Sequence, residues 1–364
     1  MPFAQPTTPS LPPPNAPVRG RGLSILLTAA AIVVVAAGVR EAAGIISPIL
    51  AAAFISMIAI LPLALLQGKL GAPRWLALLI VLALTLGGAL GIGFYLNQSI
   101  AQLTPMLPEY QARVDALLLS GLEAIRARGV DLDVERIMTA AHSWKLRDFA
   151  DVIIVGLAKT LQNLVFVLLV TAFIIAEASS VPEKLRIAFP NAMQGPGLGG
   201  VADKVRSFLV VITQLNVVLA VINYAACLVL DVPFPFLLSF LVFFLNYIPT
   251  IGAIAASAVV VLITLITHGW GAAIGMAVVQ ALSGVVIGSV LQPKLLGSRL
   301  GLSPLVVLLS LVVWGYLLGI AGMFFAVPLT IIVKIVLDQT DDLRSLSVLL
   351  GDIASARAME KRPG

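Results

Sequence analysis

Between Val232 and Pro293 the chain carries no Asp, Glu, Lys or Arg. About 20 helical residues cross the hydrocarbon core of a bilayer, so this run is long enough to enter one more than once. Inside it, at 246–252, stands NYIPTIG. Asn246 adds an amide, Pro249 removes a backbone donor, and Gly252 loosens the chain. In water such a cluster marks a surface turn. Here it breaks the chain within its most apolar surroundings, where freed backbone groups are tolerated only against protein or a water-filled cavity. The break therefore points to a pathway.

Composition agrees with a membrane setting. The chain is 60% hydrophobic and 11% charged, where soluble domains carry about 25% charged residues. The runs define an all-α polytopic integral membrane protein with about eight membrane-embedded segments, some broken or re-entrant. The net charge of +5 does not indicate nucleic acid, because the basic residues sit at the ends of apolar runs and not on one face. Cys227 is the single cysteine, so no disulfide forms within the chain.

Five regions follow. Residues 1–22 form a Pro-rich, disordered tail. Residues 23–97 hold three apolar helices, with Trp75 suited to an interface. Segment 98–151 concentrates charges of both signs, and Tyr110, Val114, Leu117 and Leu118 recur at helical spacing, which predicts amphipathic helices on the membrane surface or on other subunits. Residues 152–338 form the transport region with broken helices, and 339–364 a mixed-charge tail.

Arg19 and Arg21 place the N-terminus in the cytoplasm, with Lys69 and Arg74 on the same side and 98–151 outside. The stretches 236–267 and 303–333 then pose a choice. As continuous helices each would measure roughly 48 Å, against a hydrocarbon core of about 30 Å. As hairpins turning at NYIPTIG and near Gly315, Gly319 and Gly322, they keep Lys294, Arg299 and the C-terminus inside. Length and charge favour hairpins, although tilt absorbs part of the excess of a straight helix.

Charged chemistry within the spans is sparse. Lys159, Glu177 and Lys334 stand near the ends of runs and read as interfacial anchors, as does His268 at a turn. Uncharged polar groups are better placed. Gln214, Asn216 and Asn223 line one run, Asn246 and Thr250 flank Pro249, and Gln280, Ser283, Ser289 and Gln292 line the next. Such amides either hydrogen-bond a neutral polar substrate or tie helices together. At Asn246 and Gln292 the adjacent proline breaks favour the substrate reading. Gly284 and Gly288 have the spacing of small-residue helix packing. His142 and His268, the only histidines, lie too far apart in sequence for a zinc-type pair, and no phosphate-binding loop or nucleophile elbow is present. No enzyme activity, metal or cofactor is expected.

Three stretches carry a family likeness. NYIPTIGAIAA at 246–256, LQPKLLGSRLGLSPLVVLLSLVVWGYLLGIAGMFFAVPLTIIVKIVLD at 291–338 and GAPRWLA at 71–77 resemble the autoinducer-2 exporter family of bacterial permeases. The resemblance implies a multi-pass transporter of the bacterial inner membrane, homo-oligomeric with a pentamer as first expectation, whose transport unit moves as an elevator. Substrates tied to the family include autoinducer-2 and, for some members, cations exchanged for protons. Two positions depart from the family pattern. Gln292 stands where many members carry glutamate, and Leu61–Pro62 where Asn-Pro is frequent. A neutral Gln292 keeps hydrogen bonding and loses a titratable charge, which weakens ion coupling there.

The leading expectation is a secondary permease for a small polar metabolite. Asn246, Tyr247, Pro249, Thr250 and Gly252 form one broken tip of its substrate pathway. Gln280 lies on the next run, Gln292, Pro293 and Gly297 form the turn that follows, and Gly315, Gly319 and Gly322 form a second tip. A monovalent-cation/proton antiporter and a non-transporting membrane scaffold are the alternatives. Expected partners are the lipid bilayer, a small-molecule substrate and further copies of the chain.

Overall fold

The computed structural model describes residues 19–129, 163–177, 198–296 and 302–338, with 133, 155, 180, 183, 184, 187 and 349–351. The described residues are helical, without strands: α1 (Arg19–Glu41), α2 (Ala43–Gly68), α3 (Arg74–Leu103), α4 (Leu107–Arg126), α5 (Leu164–Glu177), α6 (Leu198–Val229), α7 (Pro235–Leu245), α8 (Ile251–Gly284), α9 (Gln292–Leu296) and α10 (Pro304–Asp338). A single 3-10 turn, Thr104–Met106, joins α3 to α4, and a π-helical stretch, Val285–Leu291, joins α8 to α9. Helix α3 thus runs past residue 98 before the amphipathic α4 begins. The tail 1–18, most of 130–162 (including His142 and Lys159), Gly297, Arg299 and the end of the C-terminal tail lie outside the described residues.

Among the described residues, five helical stretches are long and apolar enough to cross a membrane, α2, α6 and α10 among them. Their outer faces are apolar too: Phe94, Val221, Ile274 and Val312 are exposed, as are Leu26 and Val34 of α1. A helix that is apolar all round suits lipid on one side and protein on the other.

Helix α10 is not continuous. Gly319 stands at φ 67°, ψ −146°, outside helical geometry. The helix before it and the helix after it fold against each other. A Cβ placed on Gly322 would lie 1.8 Å from the Trp314 carbonyl oxygen, and one on Gly315 would lie 2.9 Å from the Met323 side chain. Residues eight apart in a straight helix are separated by about 12 Å, so α10 is a hairpin. The same holds at NYIPTIG, where a Cβ on Gly252 would lie 1.7 Å from the Leu245 carbonyl oxygen. Chain α7–α8 turns back there. A further break at Gly269 (φ 78°, ψ −172°) divides α8 into two arms.

Helix α6 is the shared spine. Its first half, through Val205, Phe208, Leu209 and Ile212, packs with Phe54 of α2 and with Val306, Leu318 and Phe325 of α10. Its second half, through Leu215, Leu219 and Cys227, packs with Leu238 and Val242 of α7 and with Ala256, Val260 and Met276 of α8. The turn from α6 to α7 is tight, with Asp231 and Phe234 at positive φ and the Val232 N–H donating to the Cys227 carbonyl at 2.8 Å. A short turn makes α6 and α7 antiparallel neighbours.

Candidate functional site: two hairpin tips in contact

The first tip is built from a helix end and a strained turn. Helix α7 finishes at Leu245, and both the backbone N–H and the side-chain Nδ2 of Asn246 donate to the Val242 carbonyl, at 3.2 and 2.7 Å. Pro249 cannot donate. The Ile251 N–H reaches back to the Pro249 carbonyl at 2.7 Å, which puts Thr250 at the centre of a γ-turn with φ 64°, ψ −58°. This γ-turn is the rare, strained form. A β-branched residue at positive φ is an outlier, and such positions cost of order 1–3 kcal/mol. Gly252 then passes so close to Leu245 that no side chain fits.

At the second tip Gly319 supplies the positive φ, and Gly322 the close approach to Trp314. Across the hairpin the Trp314 indole Nε1–H donates to Thr330 Oγ1 at 3.0 Å, and the Thr330 hydroxyl donates to the Ala326 carbonyl at 2.7 Å. A half-buried indole gains from such an acceptor.

The two tips meet. Tyr247 stacks on Phe324 with ring centroids 4.3 Å apart, and Phe244 lies 4.9 Å from the same ring. Phe324 continues to Phe325 at 4.7 Å, and Phe325 stacks on Phe54 of α2 at 4.5 Å. Below the rings Ile248, Leu311 and Ala326 are buried together. The Tyr247 hydroxyl shares a hydrogen bond with Thr213 Oγ1 of α6 at 2.7 Å, which fixes the first tip to the spine.

The other expected site residues divide. Asn246 Nδ2 ties off its own helix end. Gln280 is brought to α6, where its Nε2 donates to Asn223 Oδ1 at 3.1 Å. Asn223 Nδ2 in turn donates to Ser239 Oγ of α7 at 3.0 Å. These amides therefore join three helices. Gln292 and Pro293 follow the π-helical stretch, in which the Gln292 N–H reaches the Ile287 carbonyl. A proline ring clashes with the carbonyl four residues earlier, and a widened turn ahead of it relieves that clash. Their helix, α9, packs along α6, and Gln292 makes no hydrogen bond to either tip among the described residues. Gly284 and Gly288 face open space, so their spacing packs no helix within the described chain. Lys334, expected at an interface, is only 6% exposed, because the second arm of α10 is packed among α2 and α6 and not ended at the surface. Gln214 is exposed, whereas Asn216 and Asn223 are buried.

Sequence reasoning missed Thr213, Phe244, Trp314, Phe324 and Thr330. The aromatic density of PFLLSFLVFFLNY and GMFF was the available signal. It reads as ordinary apolar surface until the hairpins bring the rings together. A separate open cleft of about 370 Å³ lies away from the tips, beside the Gly269 break, lined by Arg113, Leu117, Ser120, Leu265 and Ile266. There Arg113 Nη1 donates to the Ile266 carbonyl at 3.1 Å, an acceptor that the break in α8 frees.

Apolar helices all round a spine, with two broken-helix hairpins meeting inside, define a polytopic membrane transport protein. Comparison with known proteins agrees. Residues 23–342 match the AI-2E family transporter model, and the chain belongs to that family. It is 32% identical to the AI-2 transport protein TqsA of Escherichia coli K12, over 91% of this chain and 96% of that protein. It is 30% identical to the putative transport protein YhhT of the same organism, over 94% and 97%. A putative transport protein of Haemophilus influenzae is 29% identical over 90% and 96%. The chain is a multi-pass protein of the inner membrane.

Proposed function

We propose that this chain is a secondary permease for a small, polar, uncharged metabolite, autoinducer-2-like in chemistry, working by an elevator-type movement. The observation that carries the reading is the meeting of two glycine-broken hairpin tips through Tyr247 and Phe324. Broken helices buried against one another are how transporters hold irregular backbone at membrane depth. The substrate pathway runs by Asn246, Tyr247, Pro249, Thr250 and Gly252 on one side and Gly315, Gly319 and Gly322 on the other, with Gln280, Gln292, Pro293 and Gly297 along the following run. The residues from Val232 to Pro293 bring uncharged donors and acceptors and no carboxylate, which suits a neutral solute better than a cation. Both termini lie in the cytoplasm, and the working form is a homo-oligomer, with a pentamer the first form to look for. The relative TqsA, named for AI-2 transport, supports a metabolite as cargo.

The test is transport in proteoliposomes. Purified protein is reconstituted and assayed for counterflow of labelled neutral sugars and polyols, with sodium or potassium and a pH-sensitive dye in parallel vesicles. Counterflow of a neutral solute above protein-free vesicles is expected. Cation-dependent proton movement in its place would transfer the assignment to an antiporter.

A further inference from the structure

Helix α6 presents a ladder of polar side chains to the first hairpin. Thr213, Asn216 and Asn223 fall within an arc of about 80° on the helix at ~100° per residue. Two of these rungs are engaged: Thr213 with Tyr247 at 2.7 Å, and Asn223 with Ser239 at 3.0 Å. Those two pairings fix an antiparallel register between α6 and α7. The middle rung, Asn216, is therefore level with residues 244–246, the last turn of α7 at the foot of the first tip. Asn216 is 2% exposed, and among the described residues its Nδ2 has no hydrogen-bond partner. It is the side-chain nitrogen or oxygen that stands buried and unmatched among them.

Such a group needs a reason, since an unmade buried hydrogen bond is costly and native proteins hold few of them. Its neighbours sharpen the question. Asn223, two turns on, is fully used, and Thr213, one turn back, locks the tip. An apolar residue at 216 would have packed at lower cost. We infer that Asn216 is a substrate-reading residue, whose Nδ2 donates to an acceptor oxygen of the transported solute when the first tip moves off α6. The inference rests on the permease reading above. It narrows the solute at that point to one presenting a hydroxyl, ether or carbonyl oxygen. An ammonium group or a metal cation gains nothing from an N–H donor. Tyr247, held on the Thr213 rung, with Phe243 against it at 5.5 Å, gives the same solute an apolar wall.

The test separates a reading role from a packing role. Asn216→Leu and Asn216→Ser are purified beside wild type, with ribose and xylitol as neutral probes and choline chloride as the charged control. Thermal unfolding in detergent is measured with and without each probe, since a ligand that binds the folded state raises its apparent stability. Wild type is expected to shift with a neutral probe and not with choline. Asn216→Leu is expected to unfold at a higher temperature than wild type without probe, yet to bind that probe about tenfold more weakly. Asn216→Ser, which keeps a hydroxyl donor, is expected to fall between the two. An unchanged probe response in both variants overturns the proposal and leaves the permease reading standing. A response to choline equal to that for the sugars also overturns it. Absence of any probe response by wild type, together with absence of counterflow in vesicles, overturns both.

Discussion

The indole of Trp314 donates to the hydroxyl of Thr330 across 3.0 Å, although the two residues stand 16 positions apart in one apolar stretch. In a straight helix that separation is about 24 Å. The bond exists because Gly319 reverses the chain and Gly322 lets the two arms touch. Phe324 and Phe325, in the arm that follows Gly319, are thereby presented to Tyr247 and Phe54. The contact between the two tips depends on that reversal.

The glycines at the tips are therefore not interchangeable with those elsewhere. Gly252→Ala and Gly322→Ala each force a methyl to within 2 Å of a backbone carbonyl oxygen. Backbone cannot step aside as a side chain can, so each substitution is expected to cost about 3 kcal/mol, at the upper end for overpacking. Gly284→Ala, with helical φ and ψ and nothing within 4 Å of its new Cβ, is expected to stabilise by up to about 1 kcal/mol. Thermal unfolding in detergent distinguishes the two classes, and equal melting of all three variants would refute the hairpin geometry.

Thr250 predicts the opposite sign. Its φ of 64° at the centre of a γ-turn is strained for a β-branched side chain, and the residue is exposed, so little packing is lost on truncation. Thr250→Gly removes the strain and is expected to stabilise the folded protein by about 1 kcal/mol, less the added flexibility of the unfolded chain. A melting temperature lower than wild type would contradict this.

The break at NYIPTIG, the tip near Gly319 and the amphipathic stretch after α3 were legible in the sequence because each rests on local chemistry: proline lacks a donor, glycine tolerates positive φ, and an apolar face repeats at helical spacing. The partners of those features were not legible. Nothing in the spacing of Thr213 and Tyr247, or of Asn223 and Gln280, announces that they touch, since their contact depends on how α6, α7 and α8 lie across one another. For the same reason Lys334 reads as a span end and is buried: burial is set by neighbouring helices and not by the run that contains the residue. Hydropathy alone cannot distinguish α10 as one crossing from α10 as two arms; its excess length over a hydrocarbon core of about 30 Å is what favoured a hairpin.

The amide network linking α6, α7 and α8 has a ranked outcome. Asn223 donates to Ser239, accepts from Gln280 and makes a long, weak contact to Cys227 Sγ at 3.8 Å, so Asn223→Leu unmakes two full bonds and a weak one, whereas Gln280→Leu unmakes one. Hydrogen bonds between membrane helices average about 0.6 kcal/mol each in double-mutant cycles, with a maximum near 1.7. Gln280→Leu is expected to cost about 0.6 kcal/mol and Asn223→Leu roughly twice that. The pair together should lose less than the sum of the singles, because they share a bond. Strict additivity in the cycle would show that the Gln280–Asn223 contact carries no energy.

Topology supplies the last test, and it bears on the proposed sidedness of the hairpins. Cys227 is buried and is the only cysteine, so Cys227→Ser gives a background without reactive thiols. On that background Lys294→Cys reports the middle of α9, where the side chain is exposed. If α7–α8 enters and returns at NYIPTIG, the second arm of α8 brings residue 294 to the cytoplasmic side, in keeping with the placement of basic residues inside. A membrane-impermeant maleimide is then expected to label this cysteine in inverted vesicles and not in right-side-out ones. Labelling from the outside would mean that α7 and the first arm of α8 together cross once. The turn at Gly252 and Leu245 would then be a fold within a single crossing and not the tip of a returning hairpin.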